Sequence, residues 1–577
     1  MFYVGIDFGS TYTTVSVYRP ETESLVAKAL SEGGTPFIPS VLAISKNQIS
    51  IGKEAKTMTT TAGRKSSVKS FRAFKMMLAE DDEESIRARG FDATYTPERV
   101  TQEFLEKVLR RILERENETM IDYLVVGVPE IWNNEITTVD GRTRLRDICR
   151  RFPFIRKDAD GCACVQIVSE PAAASAYFSY NFKQETGRNF DGRLLLIDYG
   201  GGTLDLTLTD VETRPDKEGR EGMEIRVLKR TGAGENEEGR IGQAGIAYME
   251  TLMENAIHEV FPDMTVEYDA DFYQAVDMLE GQLQECTSMI KGVFDEYGTG
   301  IGNLSEDAMD EEDYFFSGVF YRGSRIDITY QMLVQTYQDV IRGVFEEKLD
   351  EVIRFMKEQN IDYMDRSNDR FKIVLVGGFG NYYLVQEQVS KKFIFNSMDN
   401  RQKHVIRSQE DCEKSISFGS ALLASGMIRI RNTAPYSIGV CADAGNGISL
   451  TYGLYLNQDI EFNKVYFQRD VHGDYVVLLS LSGGIRRFII NTHDDKRSAL
   501  IVYPKPEFQN KLKKVITNQD CTAVVGFSLD SSGVLSLHIH DYDLISCQIS
   551  DRGEKIELTN FKELFDIHVL ERAYKDD

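Results

Sequence analysis

The stretch LLIDYGGGTLD at residues 195–205 decides the fold, because a strand-like apolar run ends in an aspartate and turns through glycines into another strand. The stretch VGIDFGSTY at residues 4–12 repeats this plan near the start of the chain. A third stretch, IVLVGGFG at residues 373–380, has the form of a strand that runs into a Gly-Gly turn ahead of a helix. The repeated unit predicts two related halves that close on one polyanion.

The residue types in these turns suit a phosphate chain with its metal ion. Glycine lets backbone N–H groups approach phosphate oxygens without a Cβ in the way. Further donors are the hydroxyls of Ser10, Thr11 and Thr203. Asp7, Asp198 and Asp205 would repel phosphate but fit around a hydrated Mg²⁺, and one of them can orient or deprotonate an attacking water. The alternative is three ordinary strand turns; no GxxxxGK[ST] motif occurs, so a P-loop is not supported.

Composition limits the possible functions. The chain has 577 residues, enough for roughly two to four domains, and a formal net charge of −24 argues against a nucleic-acid partner. No apolar run approaches the roughly 18 residues of a membrane span, so no membrane partner is expected. No charged leader precedes an apolar core, and the eight cysteines include no CxxC pair. These features predict a cytoplasmic protein with reduced thiols.

Apolar periodicity and turn residues predict the organisation of the chain. The pattern at 101–117 is that of an amphipathic helix, and short alternating runs such as 475–481 predict strands in the last third. The predicted parts are a first lobe at 1–189, a second lobe at 190–370 with an acidic insertion at 295–321, a return to the first lobe at 371–428, a linker at 429–432, an all-β domain at 433–548 and a short helical tail at 549–577.

Several motifs resemble the seventy-kilodalton heat-shock (DnaK-type) family of the actin-like ATPase superfamily. They are GIDFGSTY at 5–12, VGVP at 126–129, SEPAAA at 169–174, IDYGGGTLD at 197–205, VGGF at 376–379, TAPYSIG at 433–439 and FSLDSSGVLSL at 527–537. The resemblance implies a two-lobed α/β actin-like ATPase with duplicated ribonuclease-H-like halves, followed by an all-β sandwich. It also implies that the chain is a divergent, bacterial-type member.

The resemblance implies a role for each matching residue. Asp7 and Asp205 would hold the water shell of Mg²⁺, while Asp198 and Glu170 would surround the γ-phosphate and either its attacking water or the metal. The residues that would bind the phosphates and the nucleoside of ATP or ADP are Gly9, Ser10, Thr11, Tyr12, Gly200, Gly201, Gly202, Thr203, Gly377, Gly378 and Phe379.

The family's remaining elements match less closely. The family places a lysine near the γ-phosphate; within SFRAFKMML at 70–78 we expect Lys75 in this role, with Arg72 as the alternative. The family's LGGEDFD loop is reduced to IGQAG at 241–245. MIRIRN at 427–432 stands where the family has a leucine-rich linker, and too few residues follow the β region for the family's helical lid.

The resemblance implies a Mg-ATP-binding and hydrolysing chaperone whose lobes close on nucleotide and whose β domain binds a polypeptide client. A co-chaperone or an exchange factor would be a further partner. The alternative is a nucleotide-gated scaffold or regulatory protein that binds one folded partner without general chaperone activity. A small-molecule kinase of the same superfamily is a third interpretation, which the match in the β region disfavours.

Overall fold

The computed structural model describes most of the chain from Met1 to Arg572. The residues outside the described part are 47, 62–67, 81, 130–131, 133–140, 160, 216–220, 234–243, 299–314, 364–369, 394–404, 407–412, 432, 445–446, 450, 457, 480–484, 492–498, 516–521, 560 and 573–577. Residues 299–314 of the predicted acidic insertion at 295–321, and residues 241–243 of the loop at 241–245, therefore lie outside the described residues. The ends of the predicted insertion are described: one belongs to a helix that ends at Tyr297, and the other forms a strand at Phe315–Tyr321 that includes buried side chains.

The first lobe contains a sheet in which β1 pairs antiparallel with β2 and parallel with β8. The strands are β1 (Tyr3–Phe8), β2 (Tyr12–Arg19), β3 (Ser24–Lys28), β4 (Phe37–Pro39), β5 (Val41–Ser45), β6 (Gln48–Ile51), β7 (Lys69–Arg72), β8 (Tyr123–Val128) and β9 (Val165–Ser169). The helices are α1 (Gly52–Thr61), α2 (Phe74–Met77), α3 (Glu83–Ala88), α4 (Pro97–Glu116), α5 (Gly141–Arg150) and α6 (Glu170–Thr186). The strand order is β3-β2-β1-β8-β9, with β4 also paired to β2.

The second lobe contains a sheet of the same plan. Its strands are β10 (Gly192–Tyr199), β11 (Leu204–Pro215), β12 (Glu221–Ala233), β13 (Phe315–Tyr321), β14 (Ser324–Thr329), β15 (Phe371–Val376), β16 (Val405–Ile406) and β17 (Ile428–Ile430). The helices that follow β12 are α7 (Gly245–Val260), α8 (Ala270–Glu285), α9 (Thr287–Tyr297), α10 (Tyr330–Tyr337), a π-helical turn (Gln338–Arg342), α11 (Gly343–Glu358), a 3-10 turn (Phe379–Asn381), α12 (Tyr383–Lys392) and α13 (Ser415–Ala424).

The two sheets share one topology. In the second lobe the order is β16-β15-β10-β11-β12-β17, so β12-β11-β10-β15-β16 corresponds to β3-β2-β1-β8-β9. In both, a central strand pairs antiparallel with the strand that follows it and parallel with a later one. The Asp-Gly turns occupy the same place in each sheet, between the central strand and its antiparallel neighbour.

Helices α6 and α13 pack against each other. The Ser169 side chain caps α6 by accepting a backbone N–H of its first turn, where Pro171 also lies, and Gly187 ends the helix with a φ of 73°. A Cβ at Gly419 on α13 would collide with the carbonyl oxygen of Ala173 on α6, so only glycine permits this approach. Side chains from both sheets join the two helices in one apolar core.

The remaining residues form antiparallel sheets around a further core. The strands are β18 (Ser437–Val440), β19 (Ala442–Ala444), β20 (Gly447–Ser449), β21 (Tyr466–Phe467), β22 (Val477–Leu479), β23 (Phe488–Asn491), β24 (Leu500–Pro504), β25 (Thr522–Leu529), β26 (Leu535–Asp543), β27 (Gln548–Glu557) and β28 (Phe565–Arg572). The helices are α14 (Pro506–Val515) and α15 (Phe561–Leu564). One sheet has the order β18-β23-β24-β28, and another has β21-β25-β26-β27 with β22 also on β25.

Three of the predicted boundaries are wrong. The return to the first lobe does not begin at residue 371, because β15 pairs parallel with β10 in the second sheet, whereas α13 packs on β1, β8 and α6 of the first lobe. The described residues 429–431 of the predicted linker are not an independent connector, because β17 extends the second sheet beside β12 and the Arg431 N–H donates to the Ile225 carbonyl. The described part of the tail at 549–577 is mainly strand, because β27 pairs with β26 and β28 pairs with β24. In each case strand pairing with a distant partner decided the local conformation.

Other expectations concern membranes and cysteines. No helix in the described part of the chain has the length and apolar character needed to cross a membrane. No disulfide joins the cysteines that the structure describes, which are Cys149, Cys162, Cys164, Cys286, Cys441 and Cys547.

Candidate nucleotide site

A cleft of about 650 Å³ has residues of both lobes in its wall, and all three glycine turns line it. The wall contains every residue that the sequence analysis assigned to the phosphates and the nucleoside. It also contains Asp7, Lys75, Glu170 and Asp198. Asp205 is the exception among the assigned residues: it lies on β11 opposite Asp198 in register and is fully buried behind the wall.

The first two turns face each other closely. A Cβ at Gly201 would collide with the Thr11 hydroxyl oxygen, and one at Gly202 would lie 2.7 Å from the Ser10 hydroxyl oxygen. A larger residue at either position would therefore displace a hydroxyl of the opposite turn. The turn at 200–203 is closed by a 3.0 Å hydrogen bond from the Gly200 N–H to the Thr203 carbonyl. The hydroxyls and amides of both turns are thus gathered at one point of the cleft.

The third turn meets the second from the side. Gly377 has a φ of +79°, and a Cβ there would lie 2.6 Å from both Asp198 Oδ1 and the Tyr199 carbonyl oxygen. The Phe379 ring stands edge-on to Tyr199 at 5.1 Å and stacks on Tyr382 at 5.4 Å. Phe379 therefore belongs to an aromatic cluster in the cleft wall, and its ring fixes the turn against β10.

Lys75, and not Arg72, points into the acidic end of the cleft. Lys75 is 3 % exposed, and its Nζ donates to Glu170 Oε1 at 2.5 Å. Arg72 instead donates two hydrogen bonds of 3.1 Å to Asp277 on α8, across the cleft. Ala73 between them has a left-handed φ of 51°, which turns the chain from β7 into α2 and separates the two side chains.

The charges at this end are unbalanced. Burial, followed by the Glu170 charge, raises the pKa of Asp7 to about 7 against the opposing effect of Lys75. Burial and the charges of Glu170, Asp205 and Asp7 raise the pKa of Asp198 well above its ordinary range. Burial alone would lower the pKa of Lys75, but the negative charges of Glu170 and Asp7 outweigh it and raise that pKa. The carboxyl groups here favour a proton or another cation.

The same residues fit a hydrated magnesium ion. Asp198 Oδ2 is buried, and no group of the described residues lies within hydrogen-bond distance of it. No cluster of three acidic, cysteine or histidine side chains close enough to enclose a metal occurs in the described part of the chain. Magnesium suits such a place because it keeps several waters and takes few direct carboxylate ligands.

The sequence analysis missed the residues that connect the two lobes across the cleft. Lys56 lies 3.2 Å from Asp277, and the Arg72 guanidinium lies over the Tyr273 ring at 5.2 Å. It also missed Ser40, which contacts the first glycine turn. Lys56, Tyr273, Asp277 and Ser40 belong to none of the motifs, and no local pattern marks Asp277 as the partner of residues some two hundred positions earlier.

The fold and the facing glycine turns are those of a two-lobed α/β protein with a cleft between its lobes, and the comparisons show which family the chain is similar to. The model of the Hsp70 protein family matches residues 3–214. The "Heat shock 70 kDa protein 2" of Paracoccidioides lutzii is 28 % identical over 36 % of this chain and 32 % of its own length. The "Chaperone protein DnaK" of Nitrosopumilus maritimus is 26 % identical over 36 % of this chain and 29 % of its own length.

A longer match extends beyond the first lobe. A "Heat shock 70 kDa protein" of Emericella nidulans is 22 % identical over 76 % of this chain and 62 % of its own length. The resemblance to the Hsp70 (DnaK-type) family is therefore confirmed, and it implies the two-lobed actin-like α/β fold. The match with the Paracoccidioides lutzii protein spans about a third of that protein's length.

Proposed function

We propose that this chain is a DnaK-like molecular chaperone that binds and hydrolyses Mg-ATP in the cleft and carries a β-sandwich domain for polypeptides. The observation that carries the proposal is the meeting of two glycine turns beside a buried group of carboxylates and one lysine. Facing backbone amides suit a phosphate chain, and the unbalanced carboxyl groups suit the cation that accompanies it.

Each residue has a distinct part in the proposed reaction. Backbone N–H groups of the turns at 9–12 and 200–203 bind the phosphates. Lys75 places an ammonium group beside the γ-phosphate, and Glu170 holds that ammonium in position. Asp198 orients the attacking water and accepts its proton. Bound magnesium would add positive charge that lowers the pKa of Asp7 and Asp198 and offsets charge on the phosphates.

The β region is in direct contact with the first lobe, which gives a route for coupling. Arg146 on α5 is 1 % exposed and donates to Asp530 at 2.9 Å and to Glu557 at 3.0 Å. The Ile167 N–H on β9 donates to the Ser532 hydroxyl at 3.2 Å, three positions before Glu170. We propose that closure of the lobes on nucleotide changes this contact and thereby the affinity of the β domain for its ligand.

The nucleotide part of the proposal is tested by ligand linkage and by turnover. Saturation of the site at about a hundredfold over Kd adds about 2.7 kcal/mol of stability, which a thermal-shift assay detects with Mg-ADP and Mg-ATP. Asp198→Asn should lower kcat about 100-fold or more with little change in ADP affinity, because Asp198 acts on the water in the transition state. Asp339→Asn, at an exposed position outside the cleft wall, is the control. An unchanged melting temperature at saturating nucleotide rejects the proposal.

The chaperone part is tested with the β domain's ligand. An unfolded, reduced model polypeptide should bind with different affinities in Mg-ATP and Mg-ADP, and a tenfold difference corresponds to about 1.4 kcal/mol of coupling. Binding to one native protein, without affinity for unfolded chains, would instead identify a nucleotide-gated scaffold. Removal of the Arg146 contact should reduce the difference between the two nucleotides.

A further inference from the structure

Ser40 forms hydrogen bonds with the first glycine turn, at residues 9–12. It follows β4 directly and is 2 % exposed. Its hydroxyl donates to the Gly9 carbonyl at 2.6 Å, and its backbone N–H donates to the Thr11 carbonyl at 2.8 Å. The Thr13 hydroxyl lies 2.9 Å from the Ser40 hydroxyl and completes the arrangement. A single residue therefore binds carbonyls at both ends of the turn.

These two hydrogen bonds also fix the direction of amide groups. Within one planar trans peptide, the C=O and the N–H point in opposite directions. Fixing the Gly9 carbonyl therefore fixes the N–H of Ser10, and fixing the Thr11 carbonyl fixes the N–H of Tyr12. Ser10 and Tyr12 both line the cleft. The conformation in which this turn presents its donors is set by Ser40.

The first residue of the turn contributes no side-chain packing to it. A Cβ at Gly9 would collide with the Tyr12 carbonyl oxygen, so the turn is tight and its first residue has no side chain to anchor it. Glycine also has the largest conformational freedom to lose when the turn is ordered. Ser40, on another segment, supplies an anchor at this position.

We propose that Ser40 is a positioning residue that pre-orders the first phosphate-binding turn for a nucleoside di- or triphosphate. The inference rests on the proposed nucleotide function. Ser40 contributes to the part of the binding free energy that comes from the phosphates. Its hydroxyl acts on the ligand only through the backbone of residues 9–12. Loss of the hydroxyl should therefore weaken ligands that carry phosphate and leave phosphate-free nucleosides unaffected.

The test compares Ser40→Ala with Ser16→Ala. Ser16 is a matched control because it lies on β2 of the same sheet, is fully buried, and has its hydroxyl hydrogen-bonded to Ser417 Oγ at 2.7 Å. Calorimetric Kd values are measured for Mg-ADP and for adenosine. Ser40→Ala should weaken Mg-ADP about tenfold and adenosine less than about twofold, whereas Ser16→Ala should leave both within about twofold. Ser40→Thr, which keeps the hydroxyl, should restore most of the Mg-ADP affinity.

The outcomes separate this inference from the proposed function. If the wild-type protein does not bind Mg-ADP, the nucleotide function and the role of Ser40 are both rejected. If the wild type binds and Ser40→Ala binds Mg-ADP equally well, only the role of Ser40 is rejected. Equal weakening of adenosine and Mg-ADP also rejects it, because it shows a general structural effect. If Ser40→Ala does not fold, Ser40→Cys keeps the volume with a weaker donor, and its Mg-ADP affinity should fall while its adenosine affinity stays unchanged.

Discussion

Removal of the Lys75 ammonium should destabilise the first lobe strongly in the absence of nucleotide and magnesium. The Lys75 and Glu170 side chains are 4 % and 5 % exposed, and their charged atoms are 2.5 Å apart. Breaking a buried pair by removing one partner costs about 3–5 kcal/mol, because the remaining charge has neither water nor a counter-ion. We expect a loss of this size for Lys75→Met.

The loss should depend on pH. The folded state already holds protons on Asp7, whose pKa is about 7, and on Asp198, whose pKa is raised further. Without Lys75 these carboxyl groups retain protons to still higher pH, whereas carboxyl groups of the unfolded chain ionise near pH 4. The folded state then binds more protons, so stability falls as pH rises. Each retained proton lowers the free energy of unfolding by about 1.4 kcal/mol per pH unit. The loss of stability in Lys75→Met should therefore be larger at pH 8 than at pH 6.

Urea unfolding followed by tryptophan fluorescence measures this loss. Trp132 is the only tryptophan of the chain and packs against the core of the first lobe, so its signal reports the lobe that contains Lys75. Arg87→Met is the control, because Arg87 pairs with Glu83 on the surface of the same lobe with both side chains largely exposed, and its loss should stay within about 0.5 kcal/mol.

The double variant Lys75→Met with Glu170→Gln identifies the cause. Because it removes both charges of the pair, it should recover a large part of the stability that Lys75→Met loses, and the non-additivity measures the coupling. If Lys75→Met costs no more than Arg87→Met at either pH, Lys75 does not lie in a buried acidic group, and the proposed cation site is refuted.

Further predictions concern protons and the contact of the β region. The affinity for Mg²⁺ without nucleotide should rise by up to about tenfold per pH unit from pH 5 to 7, because Asp7, with a pKa of about 7, must lose its proton. Calorimetry should show this slope in the wild type and a smaller slope in Asp7→Asn, where only Asp198 keeps a raised pKa. Arg146→Met should cost about 1.5–3 kcal/mol by calorimetric unfolding, because Asp530 would lose its hydrogen bond to buried Arg146 and keep the one to Arg150 at 3.3 Å. Arg110→Met, at an exposed pair, should cost less than about 0.5 kcal/mol, and equal costs would contradict a buried contact. Burial, followed by a nearby lysine charge, lowers the pKa of His538 from 6.5 to about 4. Between pH 6.5 and about pH 4, His538 is therefore protonated in the unfolded chain and neutral in the folded one. The β region should therefore lose roughly 1–2 kcal/mol as pH falls through that window, and His538→Gln should remove this part of the acid sensitivity in thermal unfolding.

The choice between Lys75 and Arg72 shows what sequence reasoning can and cannot reach. The resemblance places a basic residue within 70–78, and Lys75 and Arg72 both fall in that range. They lie only three positions apart, so the motif does not distinguish them. The left-handed turn at Ala73 and the carboxylate of Asp277 separate them in space. Such a decision needs the partner's position, which no local pattern contains.

The predicted helical tail illustrates the same limit at the level of the fold. The sequence at 565–572 forms β28, because β24 offers it an unpaired strand edge, and backbone pairing with that edge outweighs a weak helical preference. β15 is a similar case: its apolar run is compatible with either sheet, and its parallel pairing with β10 places it in the second.

The sequence by itself determined the two Asp-Gly turns, the strands around them and the residue types of the candidate phosphate site, because glycine and aspartate at these positions follow from local backbone geometry and charge. Only the tertiary structure decided that the turn at 200–203 faces the turn at 9–12, that Ser40 anchors the first turn, and that Lys75 pairs with Glu170. These contacts join residues that lie far apart along the chain. Their formation depends on which sheet edges and helix faces meet, and that is set by the packing of the whole core and not by any single segment.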